Sequence, residues 1–472
     1  MTATSDDLCW LNATDLAALI RARRVSAREV IIAHLAQIDR VNPAVNAIVT
    51  LVPERALAAA DRADQRLARG EEVGPLHGLP IAHKDLQETA GIRTTYGSPL
   101  YRDLVPAADS LLVERCRLAG AICVGKTNTP EFGAGSQTFN PVFGATRNPY
   151  ALDRSVGGSS GGAAAALASG MLPIADGSDM GGSLRNPASF CNVVGMRPSP
   201  GRVPSQTEMG WFTLSVDGPM ARTVADTALL LSALAGPDPR SPIALEEPGR
   251  RFADPLGRDF RGTRIAWTDG FGLPFEPAVR QVVDRQRATF EALGATVEEA
   301  QPSMAGLDEA FRTLRAWHFE MALGPEWRKS PEQLKDTVRW NVEAGSRLTG
   351  PEVAAAEVLR TAGYHRVRQF MERYEFLVLP TVQVAPFDVS VPYPTAIAGV
   401  AMETYIDWMK SCYLISAVGH PCISVPAGFT AEGLPVGLQI VGRHRDDWGV
   451  LQLAFAFEQA TGFGRRRPEA VG

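Results

Sequence analysis

The chain contains two neighbouring apolar runs, "CISVPAGF" at residues 422–429 and "PVGLQIVG" at residues 435–442. Runs of this kind, apolar on successive residues, are typical of strands in a sheet that is covered on both faces. A helical pattern, "LQLAFAFEQATG", follows at residues 451–462 and ends at a glycine. This part of the chain therefore predicts buried strands covered by a helix.

The same alternation of strands and helices extends through the rest of the sequence. Further strands are predicted at 79–86, 121–125, 264–268 and 376–382. Further helices are predicted at 110–120, 223–236 and 277–295. The first 70 residues have a helical pattern, in which Ser26 and Glu29 form a capping box. We therefore expect an α/β fold.

The composition excludes several classes of protein. Apolar residues make up 45% of the 472 residues, and the net charge of −5 indicates no affinity for nucleic acid or for an anionic membrane. The first residues lack the pattern of a secretory signal, and no run of 18 apolar residues occurs. Six cysteines without a C-x-x-C pair and seven histidines without ligand spacing favour a cytoplasmic protein without a metal or other cofactor.

The glycine-rich stretch "SVGGSSGG" at residues 155–162 has three interpretations. A phosphate-binding loop is better matched by "GAICVGKT" at 120–127, but its middle residues form a strand pattern, so we interpret Lys126 as a structural lysine. The segment "GGSSG" at 157–161 also fits the nucleophile elbow of α/β-hydrolases, although the preceding residues are a poor strand. The third interpretation is that the glycines let a helix approach a neighbouring backbone closely.

A second cluster, "DGSDMGGSLRNP" at residues 176–187, adds weight to a catalytic role. Ser159 and Ser183 each follow a Gly-Gly pair and lie 24 residues apart. Turns of this composition can direct several backbone N–H groups at one point, as an oxyanion hole requires.

At this point the sequence resembles the amidase signature family. The resemblance is carried by segments along most of the chain: 78–98, 108–140, 157–170, 179–204, 217–226 and 420–442. It implies a large mixed β-sheet covered by helices on both faces, within a single domain of residues 1–472. Residues 1–70 would then be a helical segment of that domain, and the Pro- and Gly-rich stretch 235–262 a linker or an insertion boundary.

The resemblance also implies a Ser–cis-Ser–Lys triad. Ser183 would be the nucleophile, Ser159 the proton relay that follows a cis peptide bond from Gly158, and Lys84 the base. Asp179 and Arg185 match positions that shape the nucleophile loop. The oxyanion hole would consist of the backbone N–H groups of Met180, Gly181, Gly182 and Ser183. Met180 stands where the family often has threonine, which keeps the backbone donor but changes the pocket wall.

Lysine acts as a base only where burial lowers its pKa far below the usual value of about 10.4. Lys84 lies in the apolar segment "LPIAHKDL", which suits such a shift. His83 is an alternative base, but in a strand its side chain faces away from that of Lys84.

We therefore expect an amidase that cleaves aryl or alkyl carboxamides through an acyl-serine intermediate, with carbamates as a second substrate class. Two alternatives are the glutaminase-like subunit of a tRNA-dependent amidotransferase and an esterase that uses Ser159. The expected partner is the small-molecule substrate, with a homodimer left open and no nucleic acid or membrane. Six aromatic residues are candidates for the substrate pocket: Phe139, Trp211, Phe212, Trp317, Tyr405 and Trp408.

Overall fold

The apolar runs near the end of the chain form two adjacent antiparallel strands, Cys422–Phe429 and Pro435–Gly442, in the computed structural model, which describes residues 5–471. They lie within a sheet of eight strands. Every residue of Pro435–Gly442 is buried, because other elements cover both faces of the sheet. The predicted strands are confirmed with the same bounds.

Helices and strands alternate along most of the chain. The α-helices are α1 Ser5–Trp10, α2 Ala13–Arg21, α3 Ala27–Val45, α4 Pro53–Ala68, α5 Leu111–Leu118, α6 Gly161–Ala168, α7 Arg185–Phe190, α8 Val224–Leu234, α9 Pro277–Asp284, α10 Arg287–Ala292, α11 Leu307–Lys329, α12 Asp336–Ser346, α13 Gly350–Arg373, α14 Lys410–Val418 and α15 Asp447–Thr461. The strands are β1 Ile48–Leu51, β2 Pro80–Lys84, β3 Ile122–Thr127, β4 Phe139–Asn140, β5 Gly144–Ala145, β6 Arg147–Asn148, β7 Ala151–Ser155, β8 Ile174–Asp179, β9 Val194–Arg197, β10 Val216–Ala221, β11 Arg264–Trp267, β12 Thr296–Glu299, β13 Phe376–Pro380, β14 Ala396–Ile397, β15 Val400–Ala401, β16 Cys422–Phe429 and β17 Pro435–Gly442.

The large sheet is mixed, as expected. Its strand order is β12, β11, β13, β17, β16, β9, β10 and β8. The first three strands run parallel to one another, and each later strand is antiparallel to its neighbour. The sheet contains strands from both sides of the stretch 235–262. The α/β class and the large mixed sheet are therefore confirmed.

A smaller sheet of three strands, in the order β1, β3, β2, brings the end of β2 to the edge of the large sheet. There β2 contacts β8, the edge strand of the large sheet. The backbone N–H of Lys84, the last residue of β2, donates to Asp176 Oδ1 on β8 at 3.0 Å. Residues of two separate sheets thus meet at this edge.

The alanine-rich helix α6 is buried along its whole length beside this edge. Its first turn contains Gly162, where a Cβ atom would lie 2.3 Å from the backbone N of Asn128 and 2.7 Å from the carbonyl O of Ala47. Only glycine allows such a close approach of two backbones. The interpretation of the glycines as packing residues therefore holds at Gly162.

The match to a phosphate-binding loop lies in strand β3, which is not a glycine-rich loop. Lys126 is buried, and its Nζ donates to the carbonyl O of Gln87 and, at 2.8 Å, to Thr89 Oγ1. These contacts confirm the interpretation of Lys126 as a structural lysine.

The structure contains further strands that were not predicted, including β1 within the helical segment 1–70, and it divides one predicted helix. The predicted helix at 277–295 is two helices, α9 and α10. Strands β8, β9 and β10 were not predicted, because "IADGSD", "VGMR" and "VDGPMA" contain residues that strands disfavour. They are strands because their neighbours in the sheet bury them.

The helices α11 to α14, which the sequence pattern did not identify, pack against each other. Two of them, α11 and α13, have 23 and 24 residues. Nevertheless, no helix within residues 5–471 combines the length and the hydropathy that a bilayer span requires.

Candidate active site

Lys84 is the centre of a cluster of hydroxyl groups, of which those of Ser159 and Ser160 are buried. Its Nζ lies 2.7 Å from Ser159 Oγ and 3.0 Å from both Ser160 Oγ and Ser178 Oγ. Ser159 and Ser160 lie in the loop that precedes α6, and Ser178 lies on β8. A neutral amine donates two hydrogen bonds and keeps one lone pair. When Lys84 is neutral, one of these three hydroxyl groups can therefore donate a hydrogen bond to its Nζ.

The surroundings of Lys84 favour its neutral form. Burial lowers the pKa of Lys84 to about 7, against the opposing effect of the carboxylates of Asp217, Asp176 and Asp179. Burial also raises the pKa of Asp217, whose Oδ1 accepts a hydrogen bond from Gln87 Nε2 at 2.9 Å. Near neutral pH, Lys84 can therefore both accept and release a proton.

The histidine next to Lys84 points elsewhere. His83 Nδ1 lies 2.6 Å from Asp176 Oδ2, in a pair that is almost completely buried. Within the described residues, no hydrogen bond joins His83 to Ser159 or to Ser183. This arrangement follows the alternation of side chains along β2 and leaves Lys84 as the amine beside the serines.

The loop that carries Ser183 is held by a buried carboxylate. Asp179 accepts hydrogen bonds from the backbone N–H groups of Gly182 at 2.8 Å and Leu184 at 3.2 Å. The same carboxylate accepts from Arg185 Nε at 3.0 Å and from Arg185 Nη2 at 2.9 Å. A second buried guanidinium, that of Arg197, lies 3.4 Å away. These contacts determine the course of the loop from β8 to α7.

The charges in this loop compensate one another. Burial raises the pKa of Asp179, but Arg185 and Arg197 outweigh that effect and hold the pKa well below its usual range. Burial lowers the pKa of Arg185, but Asp179 outweighs that effect and raises the pKa above its usual value. All three side chains are therefore charged at neutral pH.

The backbone of the same loop provides three unused donors. Among the residues that the structure describes, no acceptor contacts the N–H groups of Met180, Gly181 or Ser183. The prediction that all four loop amides form an oxyanion hole is wrong for Gly182, because its N–H already donates to Asp179. Gly182 instead allows the turn: its φ is +115°, and a Cβ atom would lie 2.6 Å from Cys412 Cβ.

The two Gly-Gly-Ser loops meet directly. The backbone N–H of Ser160 donates to the carbonyl O of Ser183 at 3.2 Å, and the peptide bond from Gly158 to Ser159 is cis. Ser159 and Ser183 line the same cavity, which has a volume of about 230 Å³. The structure thus brings the lysine and both predicted serines to one site.

Four side chains with rings line this cavity, and none was predicted from the sequence. The lining residues are Leu86, Tyr96, Phe132, Gly133, Ser159, Ser178, Met180, Ser183, Ser215, Arg315, His318, Phe319, Ala322 and Leu323. None of the six aromatic candidates for the substrate pocket is in this set. Phe212 lies directly behind the cavity wall, because its ring stacks on that of the lining residue His318, with 4.4 Å between the ring centroids.

The other five aromatic candidates lie in different surroundings. Trp408 is a core residue, completely buried, whose Nε1 donates to Ser136 Oγ at 2.8 Å. Trp211 is 77% exposed. Trp317 contacts the edge of Phe212. Phe139 and Tyr405 line a second cavity of about 440 Å³. Aromatic character alone does not distinguish a pocket wall from a core, because both are apolar surroundings.

Sequence reasoning missed several polar residues around Lys84. Ser160, Asp176 and Ser178 lie inside the two Gly/Ser clusters. The sequence therefore indicated that they are near the site, but not that they contact Lys84 or its neighbours. Asp217 begins a segment that carried the family resemblance. Arg315 had no local signal, because its helix α11 was not predicted.

Comparison with known proteins shows the family of this chain. The model of the Amidase family matches residues 29–451. The chain is 37% identical over 471 residues to an acylamidase of Rhodococcus erythropolis, with 98% of each chain covered. It is also 37% identical over 505 residues to a subunit of the glutamyl-tRNA(Gln) amidotransferase of Moorella thermoacetica, with 98% of this chain and 99% of the relative covered.

Solved structures agree with the same assignment. A bacterial aryl acylamidase of the amidase signature enzymes superposes with a TM-score of 0.90 at 30% identity, and the match covers 97% of this chain and 98% of that one. A 6-aminohexanoate cyclic dimer hydrolase in complex with substrate superposes with a TM-score of 0.88 at 28% identity, covering 98% and 100%. The likeness therefore extends over the whole fold described above.

Proposed function

This chain belongs to the amidase family and hydrolyses amide bonds, and we propose that it does so through an acyl-enzyme formed on Ser183, with Ser159 as the proton relay and Lys84 as the base. The observation that carries the proposal is the buried Lys84 Nζ at 2.7 Å from Ser159 Oγ, in surroundings that lower the pKa of Lys84 to about 7. A serine hydroxyl becomes a strong nucleophile only when a base removes its proton.

The contacts of the two serines support this assignment. Ser159 Oγ is already hydrogen-bonded to Lys84, so it can pass a proton between Lys84 and a further group. Ser183 lies in the loop between β8 and α7. In this loop, the N–H groups of Met180 and Gly181 have no acceptor among the described residues. A carbonyl attacked by Ser183 would lie beside these donors. This placement supports Ser183 as the nucleophile.

In the proposed reaction, the Ser183 oxygen bonds to the carbonyl carbon while its proton passes to Ser159 and the Ser159 proton passes to Lys84. The N–H groups of Met180, Gly181 and Ser183 would stabilise the negative charge that develops on the carbonyl oxygen. When the C–N bond breaks, the proton returns from Lys84 through Ser159 to the leaving amine. Water then attacks the acyl-enzyme with the help of the same groups and releases the acid.

We propose aryl or alkyl amides as the main substrates, with carbamates as a second class. The acylamidase and aryl acylamidase relatives support amides. The rings of Tyr96, Phe132 and Phe319 in the cavity wall support an apolar or aromatic substituent. A carbamate presents the same kind of carbonyl to Ser183. The cytoplasmic location and the homodimer stay predictions.

Free glutamine is a second candidate substrate, because the glutamyl-tRNA(Gln) amidotransferase relative is as similar in sequence as the acylamidase. The esterase alternative, with Ser159 as an elbow nucleophile, requires a histidine partner. Among the described residues, the hydrogen-bond partner of Ser159 Oγ is a lysine and no histidine contacts it.

We expect a serine-directed phosphonate to label Ser183. No lysine or arginine lies between Arg154 and Arg185, so one tryptic peptide carries both serines and has to be fragmented in the mass spectrometer. The same preparation is assayed with anilides, carbamates, esters and free glutamine. An adduct on Ser159 would overturn the assignment of the nucleophile, and hydrolysis of none of these substrates would overturn the proposed function.

We expect kcat/KM for an anilide to rise with pH through an ionisation near 7. The pKa of Lys84 is lowered to about 7 by burial, and only the neutral amine has a lone pair that can accept the Ser159 proton. Activity is therefore low in acid and increases as Lys84 loses its proton. The measurement is a profile of kcat/KM from about pH 5 to about pH 9.

The variant Asp217→Asn provides a matched test of this ionisation. It removes a carboxylate that holds the pKa of Lys84 up, while the amide oxygen still accepts from Gln87. The acid limb should move to lower pH, by less than about one pH unit, because burial raises the pKa of Asp217 to about 7 and leaves it partly protonated in the same range. The exposed Asp61→Asn serves as the control and should leave the profile in place. A profile that falls between pH 6 and pH 8 would contradict Lys84 as the base.

A further inference from the structure

An arginine lines the triad cavity without an acidic partner. Arg315 lies on α11 and is only 5% exposed. Its guanidinium lines the same cavity as Ser159 and Ser183. Within residues 5–471, no carboxylate oxygen lies within the 4.0 Å range of an ion pair with this guanidinium, in contrast to the buried Arg185 and Arg197.

The contacts of Arg315 are all to uncharged atoms. Its Nε donates to Asn341 Oδ1 at 3.1 Å, its Nη1 contacts Met180 Sδ at 3.2 Å, and its Nη2 donates to the hydroxyl of Tyr405. A guanidinium has five N–H groups, so two of them, one on each Nη, have no acceptor among the described residues. One of the three acceptors is a thioether sulfur, which is weak.

The protein itself compensates the charge of Arg315 only in part. A buried charge loses its hydration, and proteins normally compensate for this with an ion pair or a full set of hydrogen bonds. The Cζ atom of Arg315 also lies 4.5 Å from the ring centroid of Phe319 and 5.7 Å from that of Tyr405. Such cation–π contacts supply only part of the stabilisation that an ion pair would give. A negatively charged ligand group would supply the rest.

The remaining wall of the cavity adds no second charge. His318 is the other titratable base in the lining, and burial together with the positive charge of Arg315 lowers its pKa to about 4, so it is neutral at pH 7. The lining contains no aspartate or glutamate. The cavity is therefore suited to one anionic group and lacks a partner for a cationic one.

We propose that Arg315 selects amides whose substituent carries a carboxylate, and that it binds this carboxylate through the two free N–H groups of its guanidinium. The inference rests on the proposed amide hydrolysis at the same cavity. A planar carboxylate matches the two Nη donors of arginine in a bidentate pair. The contact of Arg315 with Met180 places this pair beside the loop that holds Ser183.

The proposal distinguishes two classes of amide substrate that the family relationship does not distinguish. Monoamides of dicarboxylic acids carry one negative charge, which Arg315 compensates. Free glutamine carries an additional ammonium group, for which the cavity lining has no carboxylate. A desolvated ammonium group without a partner weakens binding. The enzyme should therefore prefer glutaramate, which is glutamine without its amino group, over glutamine.

The test uses anilides that differ at one end of the acyl chain. Succinanilate ends in a carboxylate, 4-oxopentananilide is its uncharged isostere, and 4-aminobutyranilide ends in an ammonium group. We expect kcat/KM to be on the order of tenfold to a hundredfold higher for the carboxylate than for the isostere, mainly through KM. We expect the ammonium compound to be the poorest of the three.

The selectivity is the ratio of kcat/KM for the carboxylate anilide to kcat/KM for its uncharged isostere. The variant Arg315→Gln should lower this ratio by at least about tenfold, whereas Arg315→Lys should retain part of the selectivity. An arginine that merely supports α12 through Asn341 would change both values alike and leave the ratio unchanged. If Arg315→Gln does not fold, the three wild-type values decide. Equal values for the carboxylate and the isostere would overturn the proposal, whereas hydrolysis of none of the anilides would instead overturn the proposed function.

Discussion

Replacement of Ser183 by alanine should lower kcat for an anilide by a factor on the order of 10⁴ to 10⁶, the largest effect that we expect from any single change. The variant lacks the oxygen that forms the acyl-enzyme, so only direct attack by water on the bound amide is left. The loop amides and the cavity wall remain, because Ser183 contributes its backbone to them and alanine keeps that backbone. The release of the amine, followed over hours at high enzyme concentration, measures the residual rate.

Ser160→Ala is the matched control for this experiment. Ser160 Oγ lies 3.0 Å from Lys84 Nζ, but its side chain makes no bond to the substrate in the proposed reaction. We expect a loss of about tenfold or less, because one hydrogen bond to Lys84 disappears. Folding of both variants is compared by circular dichroism. If Ser183→Ala retained activity within about tenfold of the wild type, Ser183 would not be the nucleophile.

Replacement of Asp179 by asparagine should lower the free energy of unfolding by about 3–5 kcal/mol. The carboxylate of Asp179 is completely buried and pairs with the buried guanidinium groups of Arg185 and Arg197. Asparagine preserves the shape and can still accept hydrogen bonds, but it leaves two positive charges in the core without a counter-charge. The midpoint of urea unfolding at neutral pH measures the change.

The exposed pair of Arg28 and Asp61 supplies the control for this prediction. Their side chains are 44% and 49% exposed, so water screens the pair, and Asp61→Asn should hardly move the unfolding midpoint. The stabilising contribution of Asp179 is fully present above the pKa of an unfolded aspartate, about 4, and is lost only as the pH falls towards its lower pKa in the folded protein. A loss below about 1 kcal/mol for Asp179→Asn at pH 7 would contradict the structural role given to this carboxylate.

Much of the fold could be predicted from local patterns. The runs at 422–429 and 435–442 are strands with those bounds, because continuous apolar character over eight residues suits a strand in a sheet that is buried on both faces. The capping box at Ser26 and Glu29 is present at the start of α3. Strand β8 escaped prediction, because its residues have low strand propensity and pair with β10 only in the folded protein.

The site was predictable in its main residues but not in its surroundings. The two Gly-Gly-Ser segments drew attention to Ser159 and Ser183, and the family resemblance implied their roles and that of Lys84. The pocket wall was not predictable, since Phe132 and Phe319 belong to segments far apart in the chain that share no motif. Gly182 also shows the limit of a motif, because its N–H faces Asp179 instead of the cavity.

The sequence by itself determined the α/β class and the family resemblance, and it supplied the proposed catalytic side chains, because hydrophobic periodicity and short motifs are properties of neighbouring residues. Only the tertiary structure decided the protonation of Lys84, the donors left free in the Ser183 loop and the unpaired charge of Arg315. Desolvation and Coulomb interactions depend on distances between segments that are remote in sequence, such as β2 and the loop before α6. Those distances exist only once the two sheets have come together.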